Sequence, residues 1–126
     1  MNAIQKLISV SLMLFTGCAL AQEWPAKPIR FLNPNAAGGL GELVTRFIAP
    51  VVEPRLGQRL IVESKPGAGG AIGATEIARA APDGYSFLIA PTNVYVVIPH
   101  ILKNVTYDPI EGFAPVTMIV DAPLIA

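Results

Sequence analysis

The residues of this chain best placed for chemistry are glycines. Lys65-Pro66-Gly67-Ala68-Gly69-Gly70-Ala71-Ile72-Gly73 follows an apolar, β-branched run, Leu60 to Val62, and precedes a helical pattern. It reads as a strand end, a glycine loop and a helix start. The chemistry on offer is electrostatic: N–H groups at a helix N-terminus lack intrahelical acceptors and can face an anion. Glycine lets a ligand come close to that backbone. The loop is not a dinucleotide fingerprint, because the third glycine of G-x-G-x-x-G falls on Ile72. It is not a P-loop either, since no Gly-Lys-Ser or Gly-Lys-Thr follows. The alternative is a tight turn whose glycines only permit positive φ.

A second loop of the same kind, Asn33-Pro34-Asn35-Ala36-Ala37-Gly38-Gly39-Leu40-Gly41, lies upstream. Thr92 and Asn93 follow a third apolar run and would either donate to the far end of a ligand or cap the next turn. His100 is the only histidine, with no second histidine or cysteine and no carboxylate pair beside it, so neither a triad nor a metal site is expected. Lys65, just before a proline, reads as a solvated surface charge rather than a ligand contact.

Three strand–loop–helix units position these residues. Pro28 to Leu32, Arg59 to Glu63 and Ser86 to Ala90 read as strands. Val44, Phe47, Ile48 and Val51 form the apolar stripe of a helix opening at Gly41 or Glu42, with a kink expected at Pro50 and a stop near Gly57. Ala74, Ile77, Ala78 and Ala81 repeat the stripe, Pro82-Asp83-Gly84 ends it, and a helical turn is expected around Tyr95 to Leu102. Tyr85 and Phe87 read as core, and Trp24 as packing on the sheet. The fold class is therefore α/β, a parallel sheet flanked by helices, with right-handed crossovers that put every loop at the strands' C-terminal edge. Such sheets bind ligands at that edge. Phe113 to Val120 and Pro123 to Ala126 are further apolar runs, and a strand ending at Ala126 reads as a truncated or incomplete chain.

Residues 1–21 read as an export signal, with Lys6, an apolar run from Leu7 to Phe15 and Ala19-Leu20-Ala21 before the expected cut. Cys18 after Thr16-Gly17 offers lipidation as the alternative. Residues 22–126 are then one exported, periplasmic unit of marginal burial. With 9 basic and 9 acidic residues and only 14% charged side chains there is no basic patch, so no nucleic-acid partner is expected. No cofactor motif is present. Anion recognition would be local, through backbone dipoles.

Taken in order, several short segments carry a family resemblance. They are Trp24 to Arg30, Ala36-Ala37-Gly38-Gly39, Leu56-Gly57-Gln58, Lys65 to Gly70, Ala81-Pro82-Asp83-Gly84-Tyr85, Tyr107-Asp108-Pro109 and Phe113-Ala114-Pro115-Val116. The chain resembles the amino-terminal part of the tripartite tricarboxylate transporter substrate-binding proteins, the TctC or Bug family. The resemblance implies a monomeric type II periplasmic-binding-protein-like receptor, with a small di- or tricarboxylate held between two lobes and passed to a membrane permease or sensed by a partner protein. Only most of the first lobe is present here, and the second lobe is absent.

The resemblance also implies that one ligand carboxylate is clasped by backbone amides and water, on Ala37, Gly38 and Gly39 in the first loop and Gly67, Ala68, Gly69 and Gly70 in the second. The family usually has Asp where this chain has Glu42, and a hydroxyl residue in place of Gly41. Phe is common in place of Asn35, and an acidic residue in place of Gly112. The expected function is binding and delivery of a carboxylate, without catalysis. The alternatives are a non-functional remnant of such a receptor and an exported enzyme holding an anionic substrate at the same helix N-termini.

Overall fold

A computed structural model describes residues 23–121. The expected export signal and the expected strand end at Pro123 to Ala126 lie outside the described residues. Three strands, β1 (Ile29–Asn33), β2 (Leu60–Ser64) and β3 (Ser86–Leu88), form one sheet in the order β2-β1-β3. Both pairings are parallel: Ile29 lies opposite Leu60 and Asn33 opposite Ser64, while Arg30 lies opposite Ser86 and Leu32 opposite Leu88. Parallel neighbours cannot be joined by a hairpin and need a crossover. Those crossovers are α1 (Leu40–Leu56) and α2 (Ala71–Ala78). Two one-turn helices follow β3, α3 (Asn93–Val96) and α4 (Ile98–Ile101).

β1 is central, and two of its apolar residues are accordingly core: Ile29 is 2% exposed and Leu32 is fully buried. The ladder continues past the strand ends. Lys65 N–H donates to the Asn33 carbonyl at 2.8 Å and Ile89 N–H to the Leu32 carbonyl at 3.0 Å. These bonds carry the strand geometry directly into the second and third loops.

α1 stops at Gly57, whose left-handed φ of 66° lets its N–H close on the Glu53 carbonyl at 2.9 Å. Glu53 also turns its carboxylate to the Leu60 N–H at 2.8 Å, fixing the entry to β2. One helix runs through Pro50 and Pro54 to Leu56, its expected end. Both prolines are on the exposed side, where water satisfies the carbonyls they leave free. The inward face differs from the expected stripe. Val44 and Thr45 are buried, whereas Phe47 is 80% and Val51 57% exposed. Thr45 can face the sheet because its hydroxyl donates to the Gly41 carbonyl at 2.8 Å, leaving only its methyl to pack.

On the α2 side, Ala71, Ala74, Val94, Ile98 and Tyr107 form the apolar core, with Tyr95 and Phe113 against it. Tyr107 donates to the Val94 carbonyl at 2.5 Å, and Phe113 meets Tyr95 and Tyr107 edge-on at centroid distances of 5.4 and 5.7 Å. Phe113 is thus an anchor of this core. Residues 114–121 form no strand, and Val116 and Met118 are more than three-quarters exposed. An apolar run becomes a strand only with a ladder partner, and here none of the three strands pairs with it.

Trp24 packs where the sheet begins, on the residue before β3. It tilts against Tyr85 at 6.1 Å and is 48% exposed. Tyr85 accepts the Ala26 N–H at 2.8 Å, and Lys27 sits over its ring and pairs with Asp83. This cluster adjoins the strands' N-terminal edge, opposite the glycine loops. Phe87, expected in the core, is half-buried and stacks on Phe31 at 5.3 Å.

Candidate functional site

Each strand's C-terminal end opens into one of the three loops singled out in the sequence. The loops meet at Gly70. A Cβ built there would lie 2.8 Å from Val94 Cγ2 and 3.4 Å from Pro34 Cβ, so α3 and the first loop both rest on this glycine. Gly73, one turn along α2, is under the same constraint from Leu32 and Pro34, at 2.7 and 3.0 Å. Glycine at these two points is what allows three loops to share one small volume.

Asn33, at the end of β1, is 1% exposed and ties the loops together. Its Oδ1 accepts the Asn35 N–H at 3.1 Å, and its Nδ2 donates to the Ala36 carbonyl and to Ser64 Oγ, both at 3.3 Å. Gly41 lies directly against this amide, with a would-be Cβ 3.0 Å from Oδ1. In sequence Asn33 reads as a loop residue. The signal available was an Asx-type residue before proline at a strand end, whose side chain can bond the backbone two residues on.

The amides of the two glycine loops are not equivalent. In the first, Gly38 N–H donates to Glu42 Oε2 at 2.7 Å and Gly39 N–H to the Ala36 carbonyl at 3.2 Å. Ala37 N–H has no protein acceptor among the described residues. In the second loop, Gly70 N–H closes on the Gly67 carbonyl at 2.9 Å, while Gly67, Ala68 and Gly69 present three consecutive amides with no acceptor among the described residues. Gly67, Ala68, Gly69 and Gly70 all have positive φ, at 141°, 48°, 65° and 101°. Ala68 adopts the left-handed region with a Cβ, at a cost of about 1 kcal/mol. Successive amides in such a conformation form a concave donor surface suited to an anion.

Thr92 and Asn93 are exposed at the head of α3, on the same edge of the sheet. The Thr92 side chain makes no capping bond; its carbonyl accepts the Tyr95 and Val96 amides instead. His100 is exposed near the end of α4. Lys65 is not simply solvated. Its ammonium pairs with Glu76 of α2, which also pairs with Arg30 of β1, and Arg30 meets Glu63 of β2 at 2.7 Å. This network fastens the base of the second loop to the sheet and keeps Lys65 engaged.

The Lys65 ammonium, and then the Arg30 guanidinium, hold the Glu76 carboxyl below its ordinary range. A carboxyl with a depressed folded pKa stabilises the fold above its unfolded pKa, about 4.3, and that contribution disappears as pH falls through the folded value. Glu76→Gln is therefore expected to lower stability by about 1 kcal/mol at pH 7. Melting curves of both proteins should converge below about pH 4; a gap that stays constant with pH would assign the effect to packing.

The family model described as the tripartite tricarboxylate transporter family receptor matches residues 44–126. The chain belongs to that receptor family. A UPF0065 protein of Bordetella bronchiseptica is 38% identical over 94% of this chain. Among solved structures, the periplasmic binding protein BugD is 42% identical over 73% of the chain, with a TM-score of 0.68. MatC from Rhodopseudomonas palustris, solved with bound malate, is 30% identical over 76% of the chain, with a TM-score of 0.70. The chain spans about a third of each relative's length, covering 35%, 30% and 33% of them. Its parallel sheet flanked by helices is thus part of a periplasmic-binding-protein fold. Of the motif-bearing segments, both glycine loops lie at the site edge, Trp24 and Tyr85 meet in the cluster at the opposite edge, and Tyr107 and Phe113 pack in the core beside α3.

Proposed function

We propose that this protein is an extracytoplasmic receptor that binds a small organic carboxylate and delivers it to a membrane permease. Secretion with cleavage after Ala21 places it in the periplasm. One carboxylate of the ligand accepts hydrogen bonds from the Gly67, Ala68 and Gly69 amides, with the α2 N-terminus behind them and Ala37 opposite. Thr92 and Asn93 donate to the remainder of the ligand. No proton or bond changes hands, so the site binds without catalysis.

The observation that carries this reading is the run of three unpaired amides in a left-handed loop, at the C-terminal edge of a parallel sheet in a receptor family. Neutral overall charge leaves recognition to these local donors, each worth about 1.5 to 3 kcal/mol toward an ionised acceptor. The malate bound by MatC, a relative of the same fold, supports a carboxylate as the ligand class. A thermal-melt panel of mono-, di- and tricarboxylates on the whole protein tests it. A ligand present at 100 times its Kd should stabilise by about 2.7 kcal/mol, raising Tm by several degrees. If the Tm stays put across the panel, the receptor reading fails.

A further inference from the structure

The geometry points to Tyr107 as a positioning residue for carboxylate binding: its hydroxyl holds the α3–α4 segment against Gly69 and Gly70, and so keeps the Gly67, Ala68 and Gly69 amides in their concave arrangement. This rests on the carboxylate-receptor reading above and adds to it a residue that itself meets no ligand.

α3 and α4 are single turns, too short to hold their shape without outside support. The helical ladder is broken between them. The Tyr95 carbonyl would take its hydrogen from residue 99, which is Pro99 and has none to give. The Val94 carbonyl receives no backbone N–H among the described residues. Val94 is fully buried, so an unpaired carbonyl there would be costly. The Tyr107 hydroxyl supplies the missing donor at 2.5 Å, from a residue 6% exposed.

Val94 also carries the connection to the site. Its Cγ2 stands 2.8 Å from where a Cβ on Gly70 would be, and Ile98 Cδ1, one turn on, lies against Gly69 in the same way. Val94 and Ile98 therefore back two successive glycines of the second loop. Gly70 N–H closes on the Gly67 carbonyl at 2.9 Å, the bond that curls the three free amides into one surface. α3 opens at Asn93, beside Thr92, the pair read above as donors to the rest of the ligand. One hydroxyl thus fixes the backing of the second loop and the head of the third.

Tyr107 is braced in turn. Phe113 meets its ring edge-on at 5.7 Å, and Thr106 Oγ1 reaches Thr75 Oγ1 of α2 at 3.4 Å. On its other side Asp108 Oδ1 accepts the Ile110 and Glu111 amides at 2.8 and 2.9 Å. A rigid donor of this kind transmits position from the core to the loop.

The test replaces each of the three tyrosines by phenylalanine, which removes a hydroxyl and keeps the ring. Butyrate, malate, adipate and citrate are titrated into the whole protein by calorimetry, at a temperature where every variant is fully folded. Tyr107→Phe is expected to weaken binding of the acids that wild type takes by on the order of tenfold. In the ligand-free protein, exchange of the Gly70 amide hydrogen, followed by NMR, should speed up by about the same factor. Tyr95→Phe removes a hydroxyl that reaches no protein partner among the described residues, and Tyr85→Phe breaks the bond to Ala26 at the opposite edge. Both should leave affinity and Gly70 exchange within about twofold of wild type. Val94→Ala keeps the acceptor of the Tyr107 hydroxyl but removes the contact with Gly70; it should weaken binding to a similar degree, and it serves if Tyr107→Phe does not fold. Wild-type affinity in the folded Tyr107→Phe or Val94→Ala protein, or an equal loss in all three tyrosine variants, overturns the inference while leaving the receptor reading intact. Absence of binding of all four acids to wild type overturns the receptor reading itself, and the inference with it.

Discussion

Gly70→Ala is expected to cost about 3 kcal/mol or more of stability and to remove carboxylate binding from whatever remains folded. Two independent penalties add at this position. A residue with a Cβ held at φ 101° sits outside the favoured left-handed well, which costs roughly 1–2 kcal/mol. The Cβ itself would lie 2.8 Å from Val94 Cγ2, and an overpacked core methyl typically costs about 1–3 kcal/mol. Neither neighbour can step aside cheaply. Val94 is fully buried, with its carbonyl held by the Tyr107 hydroxyl, and Pro34 is pinned between Gly70 and Gly73. Gly38→Ala supplies the control: its φ is also positive, at 81°, but nothing lies within 4 Å of the added Cβ. It should cost only the backbone term, about 1 kcal/mol. Urea midpoints of the two variants measure the difference; equal midpoints would mean that the three loops do not share Gly70 as their junction.

The parts of the fold written in short local signals were legible in the sequence. β1, β2 and β3 are apolar runs that end in glycine or proline, and their loops follow because a strand must stop where the chain turns. Gly57 announced the end of α1 for the same reason. The inward face of α1 was not legible, because Leu40, Leu43, Phe47 and Val51 offer one apolar stripe and Val44, Ile48 and Val52 another beside it. Periodicity says that a stripe exists, and the sheet decides which one is covered. The run after Phe113 shows a related limit, since an apolar composition does not supply the partner strand that a ladder requires.

At the site, sequence placed the glycine loops on one edge but could not say which amides stay free. That depends on the reach of Glu42 to Gly38 and on turns closing at Gly39 and Gly70, which are tertiary outcomes of a few ångströms. Ala68 shows the same limit. Its left-handed φ of 48° follows from the glycines on both sides, and no propensity would place alanine there. Strain of this kind persists only where the surroundings fix it, and it tends to mark ligand-holding loops.

Asn33→Asp is expected to destabilise by about 3 kcal/mol at pH 7 and to weaken binding at both loops, although the replacement has the same shape. The carboxylate can still accept the Asn35 N–H, but the atom replacing Nδ2 now faces the Ala36 carbonyl with nothing to donate. Ser64 can rotate its hydroxyl to donate back, so one of the two lost donor bonds is repaired and the other becomes a repulsion. The charge is buried at a site 1% exposed, with no cationic side chain among its hydrogen-bond partners. Burial without a partner raises the folded pKa of the new carboxyl. A raised folded pKa means that the folded state holds its proton longer, so the deficit is greatest at neutral pH and shrinks as pH falls toward the unfolded value of about 3.9. The protonated acid can donate to Ala36 as the native amide does. Urea unfolding between pH 4 and 7 reads this directly: a deficit that narrows with acid identifies the lost donor at Ala36, whereas a constant deficit would make Asn33 a matter of shape. Because Asn33 also accepts Lys65 N–H through its own carbonyl, a shift at this residue moves the starts of both loops together. Loss of affinity in Asn33→Asp should accordingly exceed that of Ala37→Pro, which removes a single donor from the first loop.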